Sequence, residues 1–279
     1  MHRLRSAAPA AVLPLALLLA ACGGTPAASP LTDPVAILEA AATNASSATS
    51  VKIDVAADGE LSLDLTGTGA GAPIALEDTT ASLQVDIADG AAEGTFALPG
   101  VLGLRGEVIV VDDVAYLKTS LTGPLYQQTP IPGDTPGGET GTGGSPDPSA
   151  VAEMVAGLRE ALAQPGIDPV KGDDVPCGGS TCYTVTIQLT PEELAALGAD
   201  AGDIQLPTDL PIPVPGIPDI GEMTVDLTAR VTTDTNELAG LTLGIAGGEA
   251  GTITADITFS DWNADLTITA PPADQIQGS

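Results

Sequence analysis

Apolar and polar residues alternate with a period of two along most of this chain. Val51, Ile53 and Val55 do so in VKIDV, Leu61, Leu63 and Leu65 in ELSLDLTG, and Leu83, Val85 and Ile87 in SLQVDIADG. Phe96 and Leu98 mark a shorter run, and GEVIVVDDVAYLKTS reads as a hairpin turning at Asp112-Asp113. The pattern returns at Val185, Ile187 and Leu189, then at Val225, Leu227 and Val231, and at Leu241, Leu243 and Ile245. It closes with Ile253, Ala255, Ile257 and Phe259, and with Leu266, Ile268 and Ala270. So many alternating runs predict an antiparallel sheet with one apolar and one wet face, the wet face rich in threonine.

Helical spacing interrupts the strands three times. Asp33-Pro34 supplies an N-cap and a first-turn proline, after which Val35, Leu38 and Ala42 share a face until Asn44-Ala-Ser-Ser. SAVAEMVAGLREALA sets Val151, Val155, Leu158 and Leu162 in one stripe. In TPEELAALG, Thr190 and Glu193 form a capping box around Pro191, with Gly198 as the stop. Two stretches fit neither period. Residues 127–148, QQTPIPGDTPGGETGTGGSPDP, predict an irregular loop. Residues 206–221, LPTDLPIPVPGIPDIG, carry too many prolines for a helix or central strand and predict an extended excursion, with Leu210, Ile212, Val214 and Ile217 suited to lying on a surface.

The N-terminus reads as a processed segment. Arg3 and Arg5 precede an apolar core from Ala7 to Leu19, too short to span a bilayer comfortably. Leu19-Ala20-Ala21-Cys22 then resembles a bacterial lipobox. Such a signal implies cleavage before Cys22 and a diacylglyceryl thioether on it, often with N-acylation. Two or three acyl chains, at about 0.8 kcal/mol per buried methylene, hold a protein on a membrane where one would not. The organisation predicted is therefore a signal peptide over 1–21, a flexible tether over 22–32 and a single domain over 33–276.

Composition narrows the chemistry. The 279 residues carry a formal net charge of −29, which excludes nucleic acid and disfavours an anionic membrane surface as electrostatic partners. The acids are scattered through an apolar content of 43%, which suits a folded, acid-surfaced protein. His2 is the sole histidine and leaves with the signal, so Ser-His-Asp and Cys-His sites and His-ligated metals drop out, and no cofactor is predicted. Cys177 and Cys182, in VPCGGSTCY, predict a small disulfide loop outside the cell; a redox pair or half a metal site are the rival readings. Aromatics are only 2%. Either small side chains pack closely or the apolar face bounds a space.

The order of these parts carries a resemblance. A lipobox and tether precede ILEAAATNASSATSVKIDV, then VAYLKT, DPSAVAEMVAGL and YTVTIQLTPEELAAL, and the chain closes on ITFSDWNADLTITAPPADQI. This resembles the LppX/LprA/LprF/LprG family of envelope lipoproteins, related in fold to LolA and LolB. The resemblance implies an α+β fold: a strongly curved antiparallel half-barrel with two or three helices packed on its concave side and an apolar cavity between. It further implies a non-enzymatic carrier of acylated lipids or glycolipids, lipid-anchored on the extracytoplasmic face of the cell membrane and served by an envelope transporter. The disulfide loop, the two Pro/Gly-rich inserts and the acidity depart from that family.

The lipid-binding surface expected on this reading comprises Leu61, Leu63, Leu65, Val85, Ile87, Phe96, Val185, Ile187, Val225, Leu227 and Ile257. Lys118 is the basic residue best placed to meet a headgroup, against the plainer reading of a solvated strand-end lysine. A surface lipoprotein with a filled core, serving adhesion, sensing or scaffolding, is the alternative. A carboxylate-based hydrolase is weakly supported, since no pair stands out among 37 acids.

Overall fold

The structure is a computed structural model that describes residues 30–63, 72–131, 167–196, 223–247 and 251–278. Contacts divide the chain into Met1–Pro30 and Leu31–Ser279, and all the strands lie in the second unit. Cys22, Leu65, the helix expected over 149–163 and the 206–221 segment fall outside the described residues.

Thirteen strands form one antiparallel sheet among the described residues. They are β1 (Ser50–Leu63), β2 (Ala72–Ala75), β3 (Thr79–Asp86), β4 (Ala91–Leu98), β5 (Leu104–Val111), β6 (Val114–Thr119), β7 (Gln127–Pro130), β8 (Val170–Lys171), β9 (Val175–Cys177), β10 (Ser180–Leu189), β11 (Thr224–Thr232), β12 (Leu238–Ala246) and β13 (Gly251–Ser260). Their order is β7-β6-β5-β4-β3-β1-β13-β12-β11-β10-β8, with β2 on β1 and β9 on β10. Two meanders are thus joined where the first strand meets the last, from Lys52↔Ser260 to Leu61↔Gly251. The sheet is curved and does not close into a barrel.

Helix α1 (Pro34–Ser46) begins as the sequence predicts: the Asp33 side chain accepts from the Val35 and Ala36 amides. Its buried stripe is Ile37, Leu38 and Ala41, not Val35, Leu38 and Ala42. Ile37, fully buried, turns the larger side chain inward and rotates the stripe. These residues pack on Tyr183, Val185 and Ile187 of β10 and Ala229 and Val231 of β11. Leu31 joins the same core and donates its amide to the Tyr183 hydroxyl at 3.0 Å, so packing begins inside the predicted tether. At the other end of the helix, Asn44 Nδ2 donates to the carbonyls of Thr235 and Asn236 in the β11–β12 turn. The capping box forms on α2 (Pro191–Ala196): Glu193 accepts from the Thr190 amide at 2.7 Å and its hydroxyl at 2.8 Å.

Four expectations need correction. The helices are fewer than predicted among the described residues: one long, one of six residues and a 3-10 turn at Ala273–Gln275. The runs around Val51 and Leu61 belong to one strand of 14 residues. Gly59 sits between them at φ 114°, with its Cα so close to the Thr252 carbonyl that a Cβ would overlap it. There β1 changes partner, from β3 to β2, without ending. Residues 127–130 are strand β7, not loop. Finally, ADLTITAPP makes no ladder, because β1 and β12 already flank β13. The chain leaves through Asp261 and Asn263, both at positive φ. Asn263 is held by Thr49 and Ser50, and the end of the chain bridges Tyr126 to Ile276.

Cys177 and Cys182 form a disulfide across the β9–β10 hairpin, whose tip is Gly178-Gly179 at φ 53° and 91°. The disulfide expected between these two cysteines is therefore present, at a hairpin tip. No helix among the described residues is long and apolar enough to cross a membrane.

Ile37→Ala is expected to lower unfolding free energy by about 2–5 kcal/mol, and Asp33→Ala by about 1 kcal/mol. Denaturant unfolding of the chain from Leu31 onward checks both.

Candidate functional site

Cross-strand register assigns every strand residue to one of two faces. Starting from Val185 and Ala229 beneath α1, the paired positions run through Leu241, Ile257, Val55, Ala81, Phe96 and Gly106 to Thr119. This helix-bearing face also holds Leu227, Leu243, Ile53, Leu83, Val85, Val108 and Val110, so it is apolar almost throughout. Side chains on the face are small in β4 and β5, where Ala92, Gly94 and Gly106 surround Phe96. A Cβ at Gly106 would overlap the Phe96 ring. The opposite face carries Thr186, Thr228, Thr242, Asp256, Asp54, Ser82, Glu93, Arg105 and Lys118.

The expected lipid-binding residues divide on this map. Val185 and Ile187 are buried beneath α1, and Leu227 packs against that cluster, so these three belong to the core. A ligand could reach them only by displacing the helix. Val85, Phe96, Val225 and Ile257 lie on the apolar face, half-buried. Leu61 and Leu63 are in β1. Ile87 is not in a strand; it begins the β3–β4 turn, its amide donating to the Thr49 carbonyl. Sequence reasoning missed Ile53, Leu83, Val108 and Val110, although the same alternation marks them. It also lacked the pairing that shows which strands the helix covers.

Lys118 lies on the wet face, away from the apolar residues. Its Nζ is 2.7 Å from Glu107 Oε2 and 4.7 Å from the Tyr126 ring centroid. The buried Tyr126 donates its hydroxyl to the same carboxylate oxygen at 2.6 Å. Hydrogen bonds from Lys118 and Tyr126 hold the Glu107 carboxyl below its usual range. Glu107 in turn raises Lys118, and burial followed by the bond to Glu107 raises the Tyr126 phenol. Asp54 is lowered by hydrogen bonds from Ser82 and then Lys52. This cluster borders a hollow of about 840 Å³ lined by Asp54, Thr80, Thr95, Arg105, Glu107 and Lys118 among others. Most of its lining belongs to the wet face, with Val55, Ala81, Phe96 and Gly106 of the apolar face also bordering it, so it is not the wholly apolar cavity that the resemblance implies. No grouping of three metal-ligating side chains occurs among the described residues.

No protein-family model matches the sequence, and no curated protein matches it. The architecture is similar to that of two solved structures. LprF from Mycobacterium bovis is 15% identical, covering 87% of this chain and 99% of its own, at a TM-score of 0.48. Lipoprotein LppX from Mycobacterium tuberculosis is 13% identical, covering 85% and 98%, at 0.46. These likenesses concern the arrangement of the sheet alone.

The ionic cluster carries a pH dependence. Glu107 is lowered, so its stabilisation is present above the unfolded carboxyl value, near 4.5, and is lost as pH falls through the folded one. Lys118 is raised, so its share is present below its unfolded value of 10.5 and is lost as pH rises through the folded one. Both side chains are part-exposed, which limits the pair to below about 1 kcal/mol. Glu107→Gln should flatten the fall in melting temperature on acidification below about pH 4.5. A melting series from pH 3 to 7 checks this; an unchanged acid limb removes Glu107 from the account.

Proposed function

We propose that this chain is an envelope lipoprotein that binds the acyl chains of a lipid or glycolipid on its apolar sheet face and carries them between membrane layers. One observation supports this most. The apolar face continues across β13, β1, β3, β4, β5 and β6, while α1 packs chiefly on the β10–β12 side among the described residues. Aliphatic side chains there, among them Ile53, Val55, Leu83, Val85 and Val108, are only half-buried. Alkyl chains suit such a surface, because their burial is non-directional and contributes about 0.8 kcal/mol per methylene. Small residues around Phe96 leave relief in the face that an acyl chain can follow. The role is binding and carriage rather than catalysis, with Cys22 as the membrane anchor and an envelope transporter as the partner that loads or unloads it.

A filled-core surface lipoprotein is the second reading. It is favoured by the position of the large hollow, whose lining belongs mostly to the wet face.

Native mass spectrometry with lipid extraction, on the chain purified from its own envelope, separates the two. A carrier should hold stoichiometric acylated lipid that leaves on denaturation. Val85→Ser with Phe96→Ser should reduce that lipid at least tenfold, whereas Val185→Ser should chiefly lower stability. A clean apo mass, with no uptake from lipid micelles, would establish the filled core instead. Separately, Cys22→Ser should leave an unlipidated precursor in the aqueous phase of a detergent partition; unchanged partitioning would remove the lipid anchor from the proposal.

A further inference from the structure

Two loops sit side by side at one end of the sheet, and neither contains a charged residue. They are the β4–β5 turn (residues 99–103, PGVLG) and the loop after β6 (residues 120–125, SLTGPL). The β5–β6 ladder brings them together: the Ser120 amide donates to the Arg105 carbonyl at 2.8 Å, and the Arg105 amide donates to Ser120 Oγ at 3.2 Å. Leu102 is 87% exposed and Leu121 64% exposed, with Val101 and Leu125 exposed beside them. Absence of acid here is notable in a chain whose net charge is −29.

Leu102 is also in an unusual conformation. Its φ is 53°, in the left-handed region that glycine adopts freely and a bulky side chain rarely does. The turn is closed around it by bonds from Gly103 N to Pro99 O and from Leu104 N to Val101 O. Local backbone chemistry would favour glycine or asparagine at this position. Instead it holds a large apolar side chain out in water, at a cost in both backbone and hydration. Such a cost at an exposed position points to use.

The use can be read from the surroundings. Four side chains on two narrow tips cover less than the roughly 800 Å² per partner of a stable protein interface. A lipid layer asks for no such matched area, since single leucines gain by entering its interfacial region. Arg105 follows directly behind the first loop, on the wet face, and no carboxylate forms an ion pair with it among the described residues. Among the described residues its guanidinium is free, and a planar guanidinium suits a phosphate. The adjoining β2–β3 turn carries Glu77 and Asp78, and Gly100 packs against the Ala75 carbonyl beside it. Those acids oppose a strongly anionic surface.

We infer that the two loops form a membrane-docking fork, with Leu102 and Leu121 entering the interface of a zwitterionic lipid layer and Arg105 meeting lipid phosphate. This contact is separate from the Cys22 anchor and does not depend on what the apolar sheet face carries.

Sedimentation of residues 31–279, which lack both signal and anchor, with phosphatidylcholine vesicles tests the inference. The parent chain should co-sediment. Leu102→Gly combined with Leu121→Ser should weaken partitioning at least tenfold. Leu102→Gly places glycine where φ is 53°, so its melting temperature should hold or rise, which separates lost docking from lost folding. Val170→Thr, at an exposed apolar position on the edge strand β8, should leave partitioning unchanged. Arg105→Gln should weaken it severalfold, and adding phosphatidylglycerol should weaken binding of the parent. The inference is overturned if the parent chain stays in the supernatant, or if the Leu102/Leu121 variant sediments as the parent does.

Discussion

The structure depends on the pairing of its first strand with its last. Without β1 against β13, the chain is two separate meanders, one running outward to β7 and the other to β8. Each would present an unpaired edge, with its backbone donors and acceptors open to other chains. With the pairing made, those meanders share one continuous apolar face and one continuous wet face. Register decides this, since a slip of one residue would exchange the faces on every strand beyond the seam. Gly59 serves the seam by lacking a Cβ, which would overlap the Thr252 carbonyl of β13, while on its other edge β1 passes from β3 to β2 without stopping.

From that seam the division of labour follows. On the β10–β12 side the apolar face is covered by α1, and the residues beneath it are a core. On the β1–β6 side the same face carries similar residues, half-buried. An identical alternation of side chains therefore serves packing in one half and, on the proposed function, ligand in the other. The wet face holds two local ion pairs among the described residues, Lys118 with Glu107 and Lys52 with Asp54. Arg105 stands apart from those pairs.

Much of this was legible in the sequence. Alternation located the principal strands, Asp33-Pro34 opened α1, and Thr190 with Glu193 closed on each other as their spacing implies. Asp112-Asp113 turns the β5–β6 hairpin with both residues at positive φ. What could not be read were facts of non-local pairing. Val185 and Val85 look alike along the chain, yet one is buried under a helix and the other is not. Leu266 and Ile268 alternate as a strand would, but both flanks of β13 were already occupied. The hollow on the wet face has no periodic signature, because it arises from the shape of six strands together. Leu102 was silent too, since its interest lies in a backbone angle that the letters PGVLG do not announce.

The seam also sets a timetable. β1 is among the first residues of the domain to leave a ribosome or a translocation pore, and β13 is among the last. Contacts so far apart along the chain are slow to form, since long loops must close first. The N-terminal meander can pair internally, β1 with β3, but the other edge of β1 stays open until residue 260 is free. On the signal-peptide reading of residues 1–21, that delay would keep the chain threadable for most of its synthesis, with the sheet completed once the final strand arrives on the far side.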